Sequence, residues 1–274
     1  MESERDGASP GTVLRADANA GKVALVTGGG TGIGRASARA LAASGARVAI
    51  AGRRAELLAT VRGEIEAEGG ECVAMPCDIR EPDEVEGLVG GVIDRWGAID
   101  VLIANAGGQF GAPAEEISLK GWRAVERLNL EGNWELTSRV ARESMIPRRG
   151  GFIAYMGFSP RRGIPGYAHA CAMRAALENL ASSLAIEWSR YGIRSVCLSC
   201  GPIDTEGLAG YGAEEVEQSR RSVPLGRLGR PEEVGETVAF LASPSGAFIT
   251  GTTIVVDGGT DAWGIAEPPP APAP

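Results

Sequence analysis

The sequence predicts a single-domain α/β fold, in which a doubly wound, seven-stranded parallel sheet carries helices on both faces. Short apolar runs alternate with amphipathic or Ala-rich segments from about residue 21 to residue 264. Alternation of this kind is typical of a parallel sheet that is covered on both sides. The length of 274 residues fits one such unit, because α/β folds often run to about 250 residues as a single domain.

The strands and helices follow one another without a break in composition. Strands are predicted at residues 23–26, 47–51, 72–77, 101–104, 152–156, 193–199 and 253–256. Helices are predicted from the glycine-rich turn to about Ser44, and then from near Ala55, Pro82, Ser118, Tyr167 and Pro231. Residues 1–20 are small and polar and predict a disordered N-terminal arm, whereas residues 265–274 form a Pro-rich tail. The domain itself therefore spans residues 21–264.

Composition and charge exclude several classes of partner. Lys and Arg number 27 against 35 Asp and Glu, and the net charge of −8 argues against a nucleic-acid partner. No apolar run approaches the roughly 18 residues of a membrane helix, so we expect no membrane association. Five cysteines in a chain that needs no disulfides indicate reduced thiols and a cytoplasmic protein. Cys197 and Cys200 lie in an apolar run with no second pair, so we expect no metal site.

A glycine-rich turn joins the first strand to the first helix. It reads Thr27-Gly28-Gly29-Gly30-Thr31-Gly32-Ile33-Gly34. Glycines at this junction allow a tight turn and let backbone N–H groups approach a pyrophosphate at the helix N-terminus. A glycine cluster placed at the start of a strand–helix–strand series predicts a Rossmann-like dinucleotide site.

The end of the second strand decides which dinucleotide is favoured. A carboxylate there would bind a ribose 2′-hydroxyl, but the segment reads Ala51-Gly52-Arg53-Arg54. Two guanidinium groups suit a 2′-phosphate, because they make bidentate, charge-assisted contacts. We therefore expect NADP(H) as the cofactor and a small molecule as the substrate.

Taken together, these motifs resemble the short-chain dehydrogenase/reductase family. The resemblance covers nearly all of residues 21–260 and includes Asp78 after the third strand, Asn105-Ala106-Gly107 after the fourth and Gly201-Pro202 after the sixth. It implies a homotetramer packed through the long helices near residues 118–146 and 167–190. The expected cofactor-binding residues are Gly28, Thr31, Gly32, Ile33, Gly34, Arg53, Arg54, Asp78, Ile79, Asn105, Gly107, Arg174, Pro202, Ile203 and Thr205.

The chemical end of the sequence departs from this family. Its active site consists of a Ser, a Tyr-x-x-x-Lys pair and an Asn, with the Tyr as proton donor. Here Arg174 takes the Lys place and Ala170 the Tyr place, and only Asn129 matches its motif. Gly157 and Phe158 hold the expected position of the Ser. A ketone reduction needs a proton on the nascent alkoxide, and this sequence lacks the usual donor of that proton.

One branch of the family, the 2,4-dienoyl-CoA reductases, shows a related departure. Its members have a small residue at the Tyr place and, in one subgroup, a tyrosine fifteen residues before the Lys. Here that position is Ser159. Segments around Gly107, Pro202 and Leu225 resemble this branch, and they also resemble bacterial citronellol or citronellal dehydrogenases. The Arg in the Lys place departs from the dienoyl reductases.

The candidates for catalysis are Asn129, Ser159, Arg174, Tyr167 and His169. Asn129 and Ser159 are expected to donate hydrogen bonds to a substrate oxygen, and Arg174 to hold the cofactor ribose. Each has a structural alternative, since a lone His is more often a packing residue and the Asn also fixes a helix bend in this family.

Three functions follow from this sequence. The first is NADP-dependent reduction of a conjugated enoyl or dienoyl thioester, or of a terpenoid aldehyde or alcohol. The second is a non-redox step such as a cyclisation or dehydration, and the third is a catalytically silent binding subunit. Arg220 and Arg221, in the segment after Pro202, suit either a coenzyme A phosphate or a solvated helix face.

Overall fold

A computed structural model describes residues 14–264 of the chain. Its seven parallel strands form one sheet in the order β3-β2-β1-β4-β5-β6-β7. The strands are β1 Val23–Thr27, β2 Arg47–Gly52, β3 Cys72–Pro76, β4 Val101–Ala104, β5 Gly151–Phe158, β6 Ile193–Cys200 and β7 Thr253–Val256. Every strand predicted from the sequence is present, and the predicted α/β class and seven-stranded parallel sheet are confirmed.

Helices cover both faces of this sheet. They are α1 Gly32–Ala43, α2 Ala55–Ala67, α3 Pro82–Trp96, α4 Leu119–Glu126, α5 Gly132–Val140, α6 Ile146–Arg148, α7 Ala168–Glu187, α8 Glu206–Ala209, α9 Ala213–Arg221, α10 Pro231–Ala242 and α11 Thr260–Trp263. Two π-helical turns, Arg127–Glu131 and Ala141–Met145, join α4, α5 and α6 into a single helical stretch. None of the helices in residues 14–264 is both long and apolar enough to cross a membrane.

The core lies on the two faces of the sheet as two separate apolar clusters. One cluster packs α1 and α10 against strands β1, β2 and β6, and the other packs α3, α5 and α7 against the opposite face. Side chains alternate between the faces along each strand, so the central strands β1 and β4 are buried throughout. The sheet is therefore a rigid base, and its carboxyl edge carries the loops where ligands bind in folds of this kind.

Asn19 and its neighbours do not behave as the disordered arm that the sequence predicts for residues 1–20. Residues 1–13 and the tail at 265–274 lie outside the described part of the chain. Asn19, which the sequence analysis assigned to the arm, is fully buried. Its Nδ2 donates to Ser44 Oγ at 2.9 Å and to the Ala239 carbonyl at 3.0 Å. The small polar composition of this segment concealed a side chain whose partners lie far away along the chain.

We predict that Asn19→Ala lowers the free energy of unfolding by about 1–3 kcal/mol, because two buried hydrogen bonds are lost. Urea denaturation followed by far-UV circular dichroism measures this change. The control is Asp17→Ala, which removes an exposed ion pair with Arg15 and should leave the denaturation midpoint unchanged. Equal midpoints for both variants would show that the buried hydrogen bonds of Asn19 contribute nothing to stability.

Candidate active site

A cavity of about 840 Å³ opens along the carboxyl edge of the sheet. The glycine-rich turn lies at one end, and the loop after β4 with Arg174 of α7 lies at the other. Every cofactor-binding residue predicted from the sequence lines this single cavity. Among the five predicted catalytic residues, only Arg174 does so.

The glycine-rich turn brings β1 and α1 into backbone contact. A Cβ on Gly34 would lie 2.2 Å from the Gly28 carbonyl oxygen, and Gly28 itself has a φ of +65°. Asn105 braces the turn, because its Nδ2 donates to the Thr27 carbonyl at 2.8 Å. This close packing points the first N–H groups of α1 into the cavity.

The N-terminus of α1 is suited to an anion. Its first turn has no acidic residue, and the Gly32 N–H donates to Glu206 Oε2 of α8 at 3.1 Å. A carboxylate from elsewhere in the chain therefore already binds where the helix dipole favours negative charge. A dinucleotide pyrophosphate fits these donors, and it would compete with Glu206 for the Gly32 N–H.

The end of β2 presents two cations and no carboxylate. Arg53 and Arg54 are both exposed and line the cavity beside Gly52. Asp78 lies across from them, but its carboxylate accepts from Arg80 Nε at 2.9 Å. This hydrogen bond from Arg80 holds the pKa of Asp78 below its usual value. Within residues 14–264 neither Arg53 nor Arg54 forms an ion pair, so this end of the cavity is suited to an anionic group.

Arg174 is buried at the opposite end of the cavity. Its Nη1 donates to the Met156 carbonyl at 2.6 Å, and its guanidinium lies 5.4 Å from the centre of the Phe158 ring. Burial lowers the pKa of this group, yet a guanidinium stays charged in proteins. Within residues 14–264 no ion pair neutralises it.

Gly107 provides the room for this guanidinium. A Cβ on Gly107 would lie 2.2 Å from Arg174 Nη2 and 2.6 Å from Asn129 Oδ1. Nη2 therefore faces the loop after β4 without a side chain between them. The cavity has a positive charge at this end that can interact with an electron-rich ligand atom.

Asn129 is bonded to the protein backbone. Its Nδ2 donates to the Gly108 carbonyl at 2.7 Å and to the Val125 carbonyl at 2.9 Å, and its Oδ1 accepts from the Gly108 N–H at 3.2 Å. The residue lies in the first π-helical turn and is fully buried. Its amide fixes the loop that contacts Arg174. Asn129 itself does not line the cavity.

Ser159, Tyr167 and His169 also lie outside the cavity wall. The Ser159 hydroxyl donates to Asp257 at the end of β7. His169 is fully buried, with its ring edge-on to Phe110 at a centroid distance of 4.4 Å. The Tyr167 hydroxyl is 3.4 Å from where a Gly111 Cβ would lie, and burial raises the pKa of that phenol. These three side chains therefore do not line the cavity, whereas Arg174 does.

The structure adds two polar residues that the sequence analysis did not single out. Gln109 and Tyr211 both line the cavity, and Gln109 Nε2 donates to the Tyr211 hydroxyl at 3.1 Å. Tyr211 lies between α8 and α9, in the segment after Pro202 that is expected to cover substrate. Its place in this segment was the only feature of the sequence that indicated a role for Tyr211. Arg220 and Arg221 of α9 instead pair with Glu217 at 2.6 and 2.8 Å.

The cysteines do not form a metal centre in the described part of the chain. No group of three His, Cys, Asp or Glu side chains there could hold an ion. Burial raises the pKa of Cys200 to about 12, which makes its thiol a poor ligand and a weak proton donor.

The chain matches the family described as enoyl-(acyl carrier protein) reductase over residues 28–261. A probable 2,4-dienoyl-CoA reductase of Bacillus subtilis (strain 168) is 35% identical over 247 residues, covering 87% of this chain and 96% of the relative. A 3-oxoacyl-[acyl-carrier-protein] reductase of a Synechocystis strain is 36% identical over 240 residues, covering 87% and 96%. Among solved structures, the citronellol catabolism dehydrogenase AtuB of Pseudomonas aeruginosa PAO1 is 37% identical, with a TM-score of 0.82 and coverage of 91% and 99%.

We predict that Gly107→Ala displaces Arg174 and costs about 1–3 kcal/mol of stability by overpacking. The matched control is Gly108→Ala, whose Cβ would lie 3.4 Å from Leu128 Cδ2, an ordinary contact. Differential scanning calorimetry should show a lower Tm for Gly107→Ala alone. Equal melting temperatures would mean that the space between Gly107 and Arg174 is not tightly filled.

Proposed function

The chain belongs to the short-chain dehydrogenase/reductase family, and on that basis we propose that it is an NADPH-dependent reductase of conjugated carbonyl compounds, with enoyl or dienoyl thioesters as the leading substrate class. A terpenoid enal is the second substrate class. The observation that carries the proposal is the pairing of Ala170 with Arg174, which leaves a buried cation but no proton donor at the usual place.

The cofactor would lie along the cavity with its ends held by different residues. The α1 N-terminus and Thr205 would hold the pyrophosphate, and Arg53 with Arg54 would bind the 2′-phosphate. Arg174 would hold the nicotinamide ribose with its Nη2 group. When bound, NADPH would supply a hydride from its nicotinamide ring.

Arg174 decides which substrates suit the site. Reduction of a saturated ketone at its carbonyl carbon produces a localised alkoxide that requires a proton. Reduction of an enone at its β-carbon instead produces a delocalised enolate. A fixed positive charge in a buried site stabilises such an oxyanion without giving up a proton. The guanidinium is preorganised by Met156 and Phe158, so it needs no rearrangement as negative charge develops.

In this proposal Asn129 and Ser159 do not contact the substrate and act by positioning other residues. Asn129 fixes the Gly108 loop against which Arg174 lies. Ser159 ties the segment after β5 to Asp257. Phe110, Phe158 and Leu208 give the remaining wall of the cavity an apolar character that suits an acyl or terpenoid chain.

We also propose a homotetramer and a cytoplasmic location. Trp134 of α5 and Ile186 of α7 are exposed apolar side chains, on the two helical stretches that the resemblance assigns to subunit contacts. All five cysteines are free, which agrees with a reducing compartment.

Cofactor choice depends on the arginines at the end of β2. NADPH should bind at least several-fold more tightly than NADH, and Arg53→Ala should reduce that preference, because each charge-assisted contact to a phosphate contributes about 1.5–3 kcal/mol. Fluorescence titration of both cofactors measures the ratio. The matched control is Arg62→Ala on the exposed face of α2, which should leave the ratio unchanged. Equal affinities in the wild type would contradict the assignment of NADPH.

Substrate class depends on the proton donor that is missing at position 170. The enzyme should reduce crotonyl-CoA, 2,4-hexadienoyl-CoA or citral at an alkene carbon. It should reduce cyclohexanone at least about a hundredfold more slowly, because no general acid lies at the usual place beside a carbonyl oxygen and such an acid contributes 10²–10⁴-fold. Deuterium-labelled NADPH locates the transferred hydride by NMR of the product. Label on a carbinol carbon would refute conjugate reduction. Tight cofactor binding without transfer to any of these substrates would favour a non-redox step.

A further inference from the structure

We propose that Tyr211 is the proton donor of the reaction and replaces the tyrosine that is missing at position 170. The inference rests on the proposed conjugate reduction, which needs a proton on carbon after the hydride has been transferred. Tyr211 lies on the segment between α8 and α9, far along the chain from the usual donor position. It provides the same phenolic O–H group from another part of the chain that lines the cavity.

The other acidic groups on the cavity wall do not suit this role. Burial raises the pKa of Cys77 and of Cys200 to about 12. Asp78 is paired with Arg80 and lies beyond the glycine-rich turn. Threonine hydroxyls are far weaker acids than a phenol. Among the described residues that line the cavity, Tyr211 therefore remains as the side chain that can protonate an enolate.

The Tyr211 hydroxyl is hydrogen-bonded to the loop that lies beside the buried cation. Gly107 lies against Arg174 and Gly111 lies against Tyr167, so the loop after β4 runs from one to the other. Gln109 lies between them, two residues from Gly107, which is at most about 7 Å along the chain. Gln109 Nε2 donates to Tyr211 Oη at 3.1 Å. The phenol and Arg174 therefore line the same cavity and contact the same loop.

The Tyr211 hydroxyl interacts with two neighbouring side chains, those of Gln109 and Tyr167. The Tyr211 oxygen accepts from Gln109, which has its amide hydrogens directed at that oxygen. The Tyr167 ring packs edge-on against the Tyr211 ring, with 6.1 Å between centroids and an interplanar angle of 76°. Gln109 and Tyr167 thus fix the ring from two sides, which is the function we assign to Tyr167: it positions the donor.

Two C–H bonds form in this step, one from the hydride and one from the tyrosine hydroxyl. The hydride forms a C–H bond at the β-carbon, the carbon–carbon π electrons move toward the carbonyl oxygen, and NADPH becomes NADP⁺. The Tyr211 O–H bond then breaks as a new C–H bond forms at the α-carbon, and the enolate returns to the carbonyl. Water reprotonates the tyrosine oxygen.

The test compares Tyr211→Phe with the wild type and with Tyr191→Phe, which makes the same chemical change outside the cavity. With crotonyl-CoA, Tyr211→Phe should lower kcat by about 10²-fold or more, whereas NADPH affinity and Tm stay unchanged. Tyr191→Phe should retain full activity. With 2-methylbut-2-enoyl-CoA, protonation creates a stereocentre at the α-carbon. The wild type should give one enantiomer, and Tyr211→Phe should give a mixture, because water then protonates either face.

A readout that needs no turnover completes the test. In cofactor-free protein with ¹³Cζ-labelled tyrosine, butyryl-CoA should shift the Tyr211 resonance saturably and leave that of Tyr191 in place. An unchanged kcat and unchanged product stereochemistry in Tyr211→Phe would overturn the assignment of Tyr211 alone. A wild type that reduces neither thioester would overturn the proposed function and, with it, this role of Tyr211.

Discussion

A buried guanidinium that forms no ion pair within residues 14–264 constrains the whole chemical end of this protein. Moving a charge out of water costs several kcal/mol even after relaxation, and Arg174 recovers part of this cost from the Met156 carbonyl and the face of Phe158. The rest depends on what enters the cavity. A ligand with electron-rich oxygens at this end completes the coordination of Arg174, and an apolar or cationic ligand does not.

The neighbouring structure follows from accommodating that side chain. A side chain at position 107 would collide with Nη2, and glycine at this position avoids the collision. Asn129 binds the Gly108 backbone on both its N–H and its carbonyl, which fixes the loop beside the guanidinium. The same loop continues to Gln109 and so positions Tyr211. One substitution, Arg in the place of Lys, is thereby connected to the loop, to the π-helical turn and to the segment that covers the cavity.

The sequence predicts the sheet well because its signals are local. Apolar runs and helical periodicity indicate each strand and helix. The residues of the glycine-rich turn are adjacent in the sequence, so their pattern can be recognised directly. The catalytic candidates were less predictable because their partners are distant: Ser159 donates to Asp257, which is 98 residues away, and Tyr211 meets Gln109 across 102 residues. His169 is removed from the cavity by packing on Phe110, which no local pattern indicates. The same reason explains Asn19, whose partner Ala239 is 220 residues away.

The measurement that tests this account most directly is a crystal structure of the protein with NADP⁺ bound. The account predicts a ribose hydroxyl of the nicotinamide half within about 3 Å of Arg174 Nη2, a normal hydrogen-bond distance, and a nicotinamide ring that faces the space in front of Tyr211. A complex in which Arg174 makes no contact with the cofactor, or in which the nicotinamide is turned away from Arg174 and Tyr211, would contradict it.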